Sequence, residues 1–397
     1  MSRDAARTIL FVNIAHAFDH FVLLIFPTAV IAIAAELSRD YGDLIWLATG
    51  SFVAFGLFAL PVGWLADRLG RRNLMATFYF GYGASCLLVA LAAGSTMLAG
   101  SLLVLGVFSA IYHPVGSAMI AANATHLGRE LGRNGVWGNL GAAFASGITA
   151  IIAAWFGWRA AFALPGLLLI GFGIAFVTIV KSDSVAAASR KGSTSISLNR
   201  NAMVALFIIL ITAIVAGGMT FNVTTIALPK VLDERLGLAL TLSQTGWLTT
   251  AIFVCGALTQ LATGRIIDRF SLPTIFVSMS LLQPLGLLLA AMTTGPLMLI
   301  GMVLVTSSIY GQVVVNDAMI ARYVADDMRN RVYSIRYFLG FTVSGFAVPM
   351  IAALRGFGGF QAVLLAAALF GLVVFSAACG VWLLMRGQGR AVPMPAE

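Results

Sequence analysis

The fold class this sequence predicts is an all-α membrane protein, with twelve spanning helices arranged as two pseudo-symmetric six-helix bundles. Three observations predict it. Hydrophobic residues make up 60% of the 397 and charged residues only 10%, whereas a water-soluble domain carries about 25% charged residues. Apolar stretches near the roughly 20 residues needed to cross a bilayer recur twelve times. Short matches also return in order in the second half: Ser109-Ala110-Ile111-Tyr112 as Ser307-Ser308-Ile309-Tyr310, and Ala118-Met119-Ile120-Ala121 as Ala318-Met319-Ile320-Ala321, at offsets of 198 and 200 residues. Repeats of this kind suit two bundles that rock about a site at mid-membrane.

In chain order, the first span covers 8–34, too long for a signal-peptide core, and carries the polar residues Asn13, His16, Asp19 and His20. The second, 44–65, and third, 74–93, are nearly free of charge and contain Pro61 and Cys86. The fourth, 97–122, holds Tyr112, His113 and Pro114, and the fifth, 134–156, is rich in glycine from Gly135 to Gly147. The sixth spans 160–180. A polar Ser-, Ala- and base-rich segment, 181–201, then reads as a linker between a first bundle at 1–180 and a second at 202–397. The seventh, 202–228, carries Gly217-Gly218, which permit bending and close packing, ahead of Asn222; the eighth and ninth cover 244–264 and 273–292. Asp317 lies in the tenth, 297–321, Arg336 in the eleventh, 332–354, and Cys379 in the twelfth, 360–385. Prolines within spans are tolerated because neighbouring helices satisfy the freed backbone groups. The three cysteines, each in a different span, read as small core residues.

Charge sets the orientation. Eighteen of the 24 Lys and Arg residues fall on one side of the predicted spans and five on the other, which places both termini in the cytoplasm of a bacterial-type inner membrane. The net charge of +9 therefore records topology, and no nucleic-acid partner is expected.

The loop after the second span reads Gly63-Trp64-Leu65-Ala66-Asp67-Arg68-Leu69-Gly70-Arg71-Arg72, and a shorter copy, Gly264-Arg265-Ile266-Ile267-Asp268-Arg269, follows the eighth. This loop resembles the signature loop of the major facilitator superfamily, and the resemblance extends over the whole chain in span count, linker position and repeat. It implies the major facilitator fold, a central cavity lined mainly by helices 1, 4, 7 and 10, and alternating access. It also implies a gating role for Gly63, Asp67, Arg68, Gly70, Arg71 and Arg72, and for Gly264, Asp268 and Arg269 in the second copy. Ile111-Tyr112-His113-Pro114 with the polar first helix further resembles fosmidomycin-resistance-type and related proton-coupled members. The fifth span lacks the Gly-Pro pair of many family antiporters.

Three charges remain inside spans: Asp19, Asp317 and Arg336. Each costs at least about 2.5 to 3.5 kcal/mol near the bilayer centre, so each is a functional candidate. Asn13, His16, Asp19 and His20 share one side of a helix. His16, Asp19, His20 and His113 form the expected proton-coupling group, in which Asp19 takes a proton from one side and releases it to the other; the structural alternative is that Asp19, hydrogen-bonded by the histidines, ties helix 1 to helix 4. Asp317 and Arg336 read either as an architectural ion pair or as an anion-binding arginine with a releasing carboxylate. Tyr112, Asn222, Tyr310, Gln312 and Asn316, with Asn13, are the expected polar cavity lining. Histidines at i and i+4 beside a carboxylate also have metal-ligand spacing, but no Cys or Met cluster accompanies them, and no metal is expected.

The predicted function is secondary active transport of a small organic solute by alternating access, proton-coupled and directed to export, by a monomer in the lipid bilayer. Its energy source is the proton gradient, without a cofactor. Proton-coupled uptake of an organic acid, sugar or metal chelate is the alternative, and a non-transporting membrane sensor is the reading from a different class. No nucleotide-binding loop or hydrolase spacing is present, so an enzyme is not expected.

Overall fold

The computed structural model of the chain describes residues 2–180, 200–267, 269–323 and 326–387. Most of the expected linker and Asp268 lie outside these residues, and nothing is described of the Asp67 side chain. The described residues are helical almost throughout, and eleven helices are long and apolar enough to cross a membrane. The difference from twelve has a local cause. The eleventh and twelfth predicted spans run together in one long helix, which breaks at Gly358 and Gly359, where Gly359 adopts φ 63 and ψ −165. That conformation is essentially reserved for glycine.

Two spans are themselves broken. The first consists of α1, Arg3–Leu23, and α2, Ile25–Leu37. Pro27 explains the break: its ring displaces the carbonyl four residues back, that of Leu23, and Leu24 N–H turns instead to Phe21 O at 3.2 Å. After a short helix α3, Tyr41–Ile45, come α4, Thr49–Leu69, and α5, Arg71–Ala90. The fourth span divides into α6, Ser95–Ser109, and α7, Tyr112–Asn123. Pro114 acts here as Pro27 does above, at the carbonyl of Ala110. Both breaks lie beside the polar residues of their spans.

The first half closes with α8, Leu127–Phe156, and α9, Trp158–Ile179. The second half comprises α10, Arg200–Arg235; α11, Leu242–Ile266; α12, Leu272–Met292; α13, Gly295–Tyr323; and α14, Asp326–Gly387. Across the middle, α4 packs on α14 and α8 on α11. Gly246 permits the second contact: a Cβ there would fall 2.4 Å from Ala150 Cβ and 2.6 Å from Ser146 O. Asn139 Nδ2 of α8 also donates to Gln260 Oε1 of α11 at 2.6 Å.

The signature loop has a backbone reason for one of its glycines. Helices α4 and α5 are joined through Gly70 alone, at φ 82 and ψ 144, a region open in practice only to glycine. Arg72 then reaches the end of α9, donating to Val177 O at 2.7 Å and to Val180 O. It satisfies carbonyls that a helix end leaves unpaired. Arg68 lies over the Trp64 ring, 3.8 Å from its centroid. These contacts hold the first half together.

At the end of the molecule bearing Asp40, ions tie one half to the other. Arg355 Nη1 donates to both oxygens of Asp40 at 2.8 Å, and its Nη2 to Glu234 Oε1 at 2.8 Å. Tyr41, 2% exposed, lies beneath the Arg355 guanidinium.

Candidate functional site

The polar residues of α1 meet α7 and α8 in the interior of the first half. Asn13 and His16 are buried, and Asp19 is 0% exposed. Glycines on α8 let α1 come this close: a Cβ at Gly141 would fall 2.0 Å from Ala17 O, and one at Gly138 would fall 2.5 Å from His16 Nε2.

Hydrogen bonds define the arrangement of the rings. His16 Nδ1 lies 2.8 Å from the Asn134 carbonyl, which can only accept, so Nδ1 carries the proton and Nε2 of the neutral ring is a lone pair. His20 Nε2, 3.1 Å from His16 Nε2, is then the donor between the two rings. Ser109 Oγ donates to Asp19 Oδ1 at 2.5 Å, and His113 Nε2 lies 3.5 Å from Asp19 Oδ2. Asn134 Nδ2 donates to Asn13 Oδ1 at 2.9 Å and to the Tyr112 hydroxyl at 2.8 Å, and Tyr112 stacks on His16 with ring centroids 4.7 Å apart.

His16, His20, His113 and Asp19 thus come together, as the helical spacing and the polar fourth span predicted. Ser109 and Asn134 were not anticipated. Ser109 is a lone hydroxyl in an apolar run, and Asn134 sits at the start of the fifth span, where it read as a boundary residue.

A cavity of about 270 Å³ lies between the halves. From the first half it is bordered by His20, Leu23, Phe52 and Phe55, and from the second by Asn222, Gln312, Asn316 and Arg336. Arg336 Nη1 donates to Asp317 Oδ1. Gln312 Nε2 is held by Gln283 Oε1 at 2.7 Å and Ser308 Oγ at 2.9 Å. Asn222 Nδ2 donates to Gly218 O of its own helix at 2.8 Å.

Three of the residues expected to line the cavity do not border this one. Asn13 and Tyr112 are engaged by Asn134, and Tyr310, 2% exposed, packs against Phe221 and Phe253. Their apolar bodies fill helix contacts, which polarity counted along the chain does not reveal. Of the second copy of the loop, Gly264 lies within α11 and the Arg269 side chain is exposed.

Comparison with known proteins agrees with this architecture. A model of the Major Facilitator Superfamily matches residues 9–243 and 210–393. An MFS-type transporter of Methanocaldococcus jannaschii is 27% identical over 280 residues, covering 68% of this chain and 71% of that protein. Among solved structures, a bacterial homolog of the human lysosomal transporter Spinster, in its inward-facing and occupied conformation, superposes with a TM-score of 0.78 at 13% identity. It covers 99% of this chain and 100% of that one. A POT family transporter in complex with a thioalcohol-conjugated peptide gives 0.74 at 12% identity, covering 96% of each chain. With two helical halves about a central cavity and a family model matching nearly its whole length, this chain belongs to the major facilitator superfamily of secondary transporters.

Proposed function

We propose that the solute is a small organic monocarboxylate with an apolar body, and that it moves together with a proton. The observation that carries this reading is the lining of the cavity. Leu23, Phe52 and Phe55 of the first half and Phe221, Phe276 and Val313 of the second make it mostly apolar, and Arg336 with Asn222, Gln312 and Asn316 supplies polar groups from the second half. A cavity that is mostly apolar with a few convergent polar groups is the usual form of a small-molecule site. A guanidinium is the side chain best suited to grip a carboxylate in two-point fashion.

The Arg336–Asp317 pair supports the sense of coupling. A substrate carboxylate must compete with Asp317 for the guanidinium. Protonating Asp317 removes the competitor, so proton and anion are bound together and leave together. His20, bordering the same cavity from α1, is the titratable group on the opposite wall. Export coupled to protons needs the reverse relation, in which a proton displaces the solute. The geometry therefore favours the alternative reading from sequence, uptake of an organic acid down the proton gradient. Orientation with both termini in the cytoplasm of a bacterial inner membrane rests on the distribution of basic residues, action as a monomer on the family, and kinship with fosmidomycin-resistance-type members on Ile111–Pro114.

Binding tests the site directly. In detergent, benzoate and phenylacetate are expected to raise the thermal unfolding midpoint by mass action, with benzamide inert and Arg336→Gln unresponsive. Equal stabilisation by benzamide would remove the carboxylate from the reading.

A further inference from the structure

The buried cluster in the first half holds a second arrangement, of which the transport reading uses only His20. Among the described residues, one ring nitrogen each from His16, His20 and His113 lie within 4.8 Å of one another. Asp19 Oδ1 accepts from Ser109, whereas the buried Oδ2 accepts no hydrogen bond and faces His113 Nε2 at 3.5 Å. We propose that His16, His20, His113 and Asp19 form a binding site for one divalent transition-metal ion of the Zn²⁺, Co²⁺ and Ni²⁺ class.

The distances match the chemistry. Zinc–nitrogen bonds of about 2.0 to 2.1 Å in a tetrahedron put neighbouring ligand atoms roughly 3.3 to 3.4 Å apart. The His16 Nε2–His20 Nε2 separation of 3.1 Å and the His113 Nε2–Asp19 Oδ2 separation of 3.5 Å bracket that edge. The three ring nitrogens lie within 4.8 Å of one another, so the wider separations must shorten when an ion binds. The proton of His20 Nε2–H lies between two imidazoles; coordination through that nitrogen would require the other neutral tautomer, with the proton on Nδ1.

The supporting groups are those a metal site requires. The Asn134 carbonyl holds the proton on His16 Nδ1 and so presents Nε2 to the centre. Ser109 occupies Oδ1 of Asp19 and leaves Oδ2 to the ion. Charge argues the same way: a divalent ion compensates the Asp19 carboxylate at 0% exposure, where an uncompensated charge is costly. His20 borders the central cavity, which supplies an entry path. Three imidazoles and one carboxylate, with no thiolate or thioether, favour borderline ions over copper(I), magnesium or calcium. The His16–His20 pair was visible in the sequence, and the third imidazole arrives only because α7 restarts at Tyr112-His113 beside it.

The site is tested on the full chain, purified without a polyhistidine tag and stripped by chelator. Equilibrium dialysis against Zn²⁺ is expected to give one ion per chain, with Mg²⁺ not retained. Co²⁺ is expected to show the intense visible absorption of a tetrahedral centre. His16→Ala and His113→Ala should abolish both signals, and Ser109→Ala, which keeps all four ligands, should weaken Zn²⁺ binding 10- to 100-fold. Failure of the wild-type protein to retain stoichiometric Zn²⁺ would overturn the proposal. So would a weak octahedral Co²⁺ spectrum, which needs no variant to fold, or retention undiminished in His16→Ala. Failure here leaves the carboxylate reading intact, because Arg336 and the benzoate assay take no part in it.

Discussion

The residues whose roles were legible along the chain are those whose partners lie within a helical turn. His16 and His20 are neighbours on one helix, and Asp19 follows on the same side, so their meeting could be read from spacing. Ser109 and Asn134 lie far from α1 in sequence and are joined to it only by packing, so no local pattern identifies them. Gly70 shows the other kind of legibility. It was read as part of a gating loop, and its own conformation at φ 82 and ψ 144 supplies a simpler demand, a one-residue joint between two helices. Gly70→Ala is expected to lower stability by about 1 to 3 kcal/mol. Gly132→Ala, in an α8 position where a Cβ meets nothing within 4 Å, should leave it unchanged or slightly raised. Thermal unfolding in detergent compares the two, and equal effects would refute the backbone argument.

Among the elements, the spans and their order were largely readable from hydropathy, because a bilayer imposes one length and one polarity on every crossing. The breaks were harder to see. Pro27 and Pro114 were recognised as in-span prolines, yet their consequence, separate helices α1 and α2, α6 and α7, depends on side chains nearby to accept an interrupted backbone. The tight contact of α8 with α11 was not legible at all, since a glycine gives no sign of what lies opposite. Gly246→Leu places side chain where Ala150 Cβ and Ser146 O already stand, at 2.4 and 2.6 Å from a bare Cβ. The variant should push the halves apart at this seam. Disulfide trapping between cysteines introduced at Asn139 and Gln260 is expected to fall several-fold, whereas undiminished trapping would show that the seam yields without separating.

For the whole molecule, the two-bundle plan was legible in the repeat, and the charged ends were legible only as topology. Asp40, Glu234 and Arg355 fall between predicted spans, and nothing along the chain hints that they join the two halves, because the partners are 315 and 121 residues apart. Hydrogen bonds from Arg355, the leading cause, hold the Asp40 carboxyl below its usual range. A lowered carboxylate pKa contributes stability above the ordinary value of about 3.9 and loses it as pH falls through the lowered one. The clamp should therefore be indifferent to pH between roughly 5 and 8. Spin-label distances across this end are expected to stay constant over that window and to lengthen in Arg355→Gln. A pH-dependent distance in the unaltered protein would assign the gate to other groups.

On the proposed reading, binding and coupling meet in an exchange between Asp317 and a substrate carboxylate at Arg336. Proteoliposomes loaded with a pH-sensitive dye and given benzoate outside measure that exchange most directly, with benzoate flux followed in parallel. Carrier-dependent acidification of the lumen, in step with benzoate entry, accelerated by an acid exterior and absent in Arg336→Gln, is the predicted result. Benzoate entry with lumenal alkalinisation, or undiminished proton movement in Arg336→Gln, would contradict it.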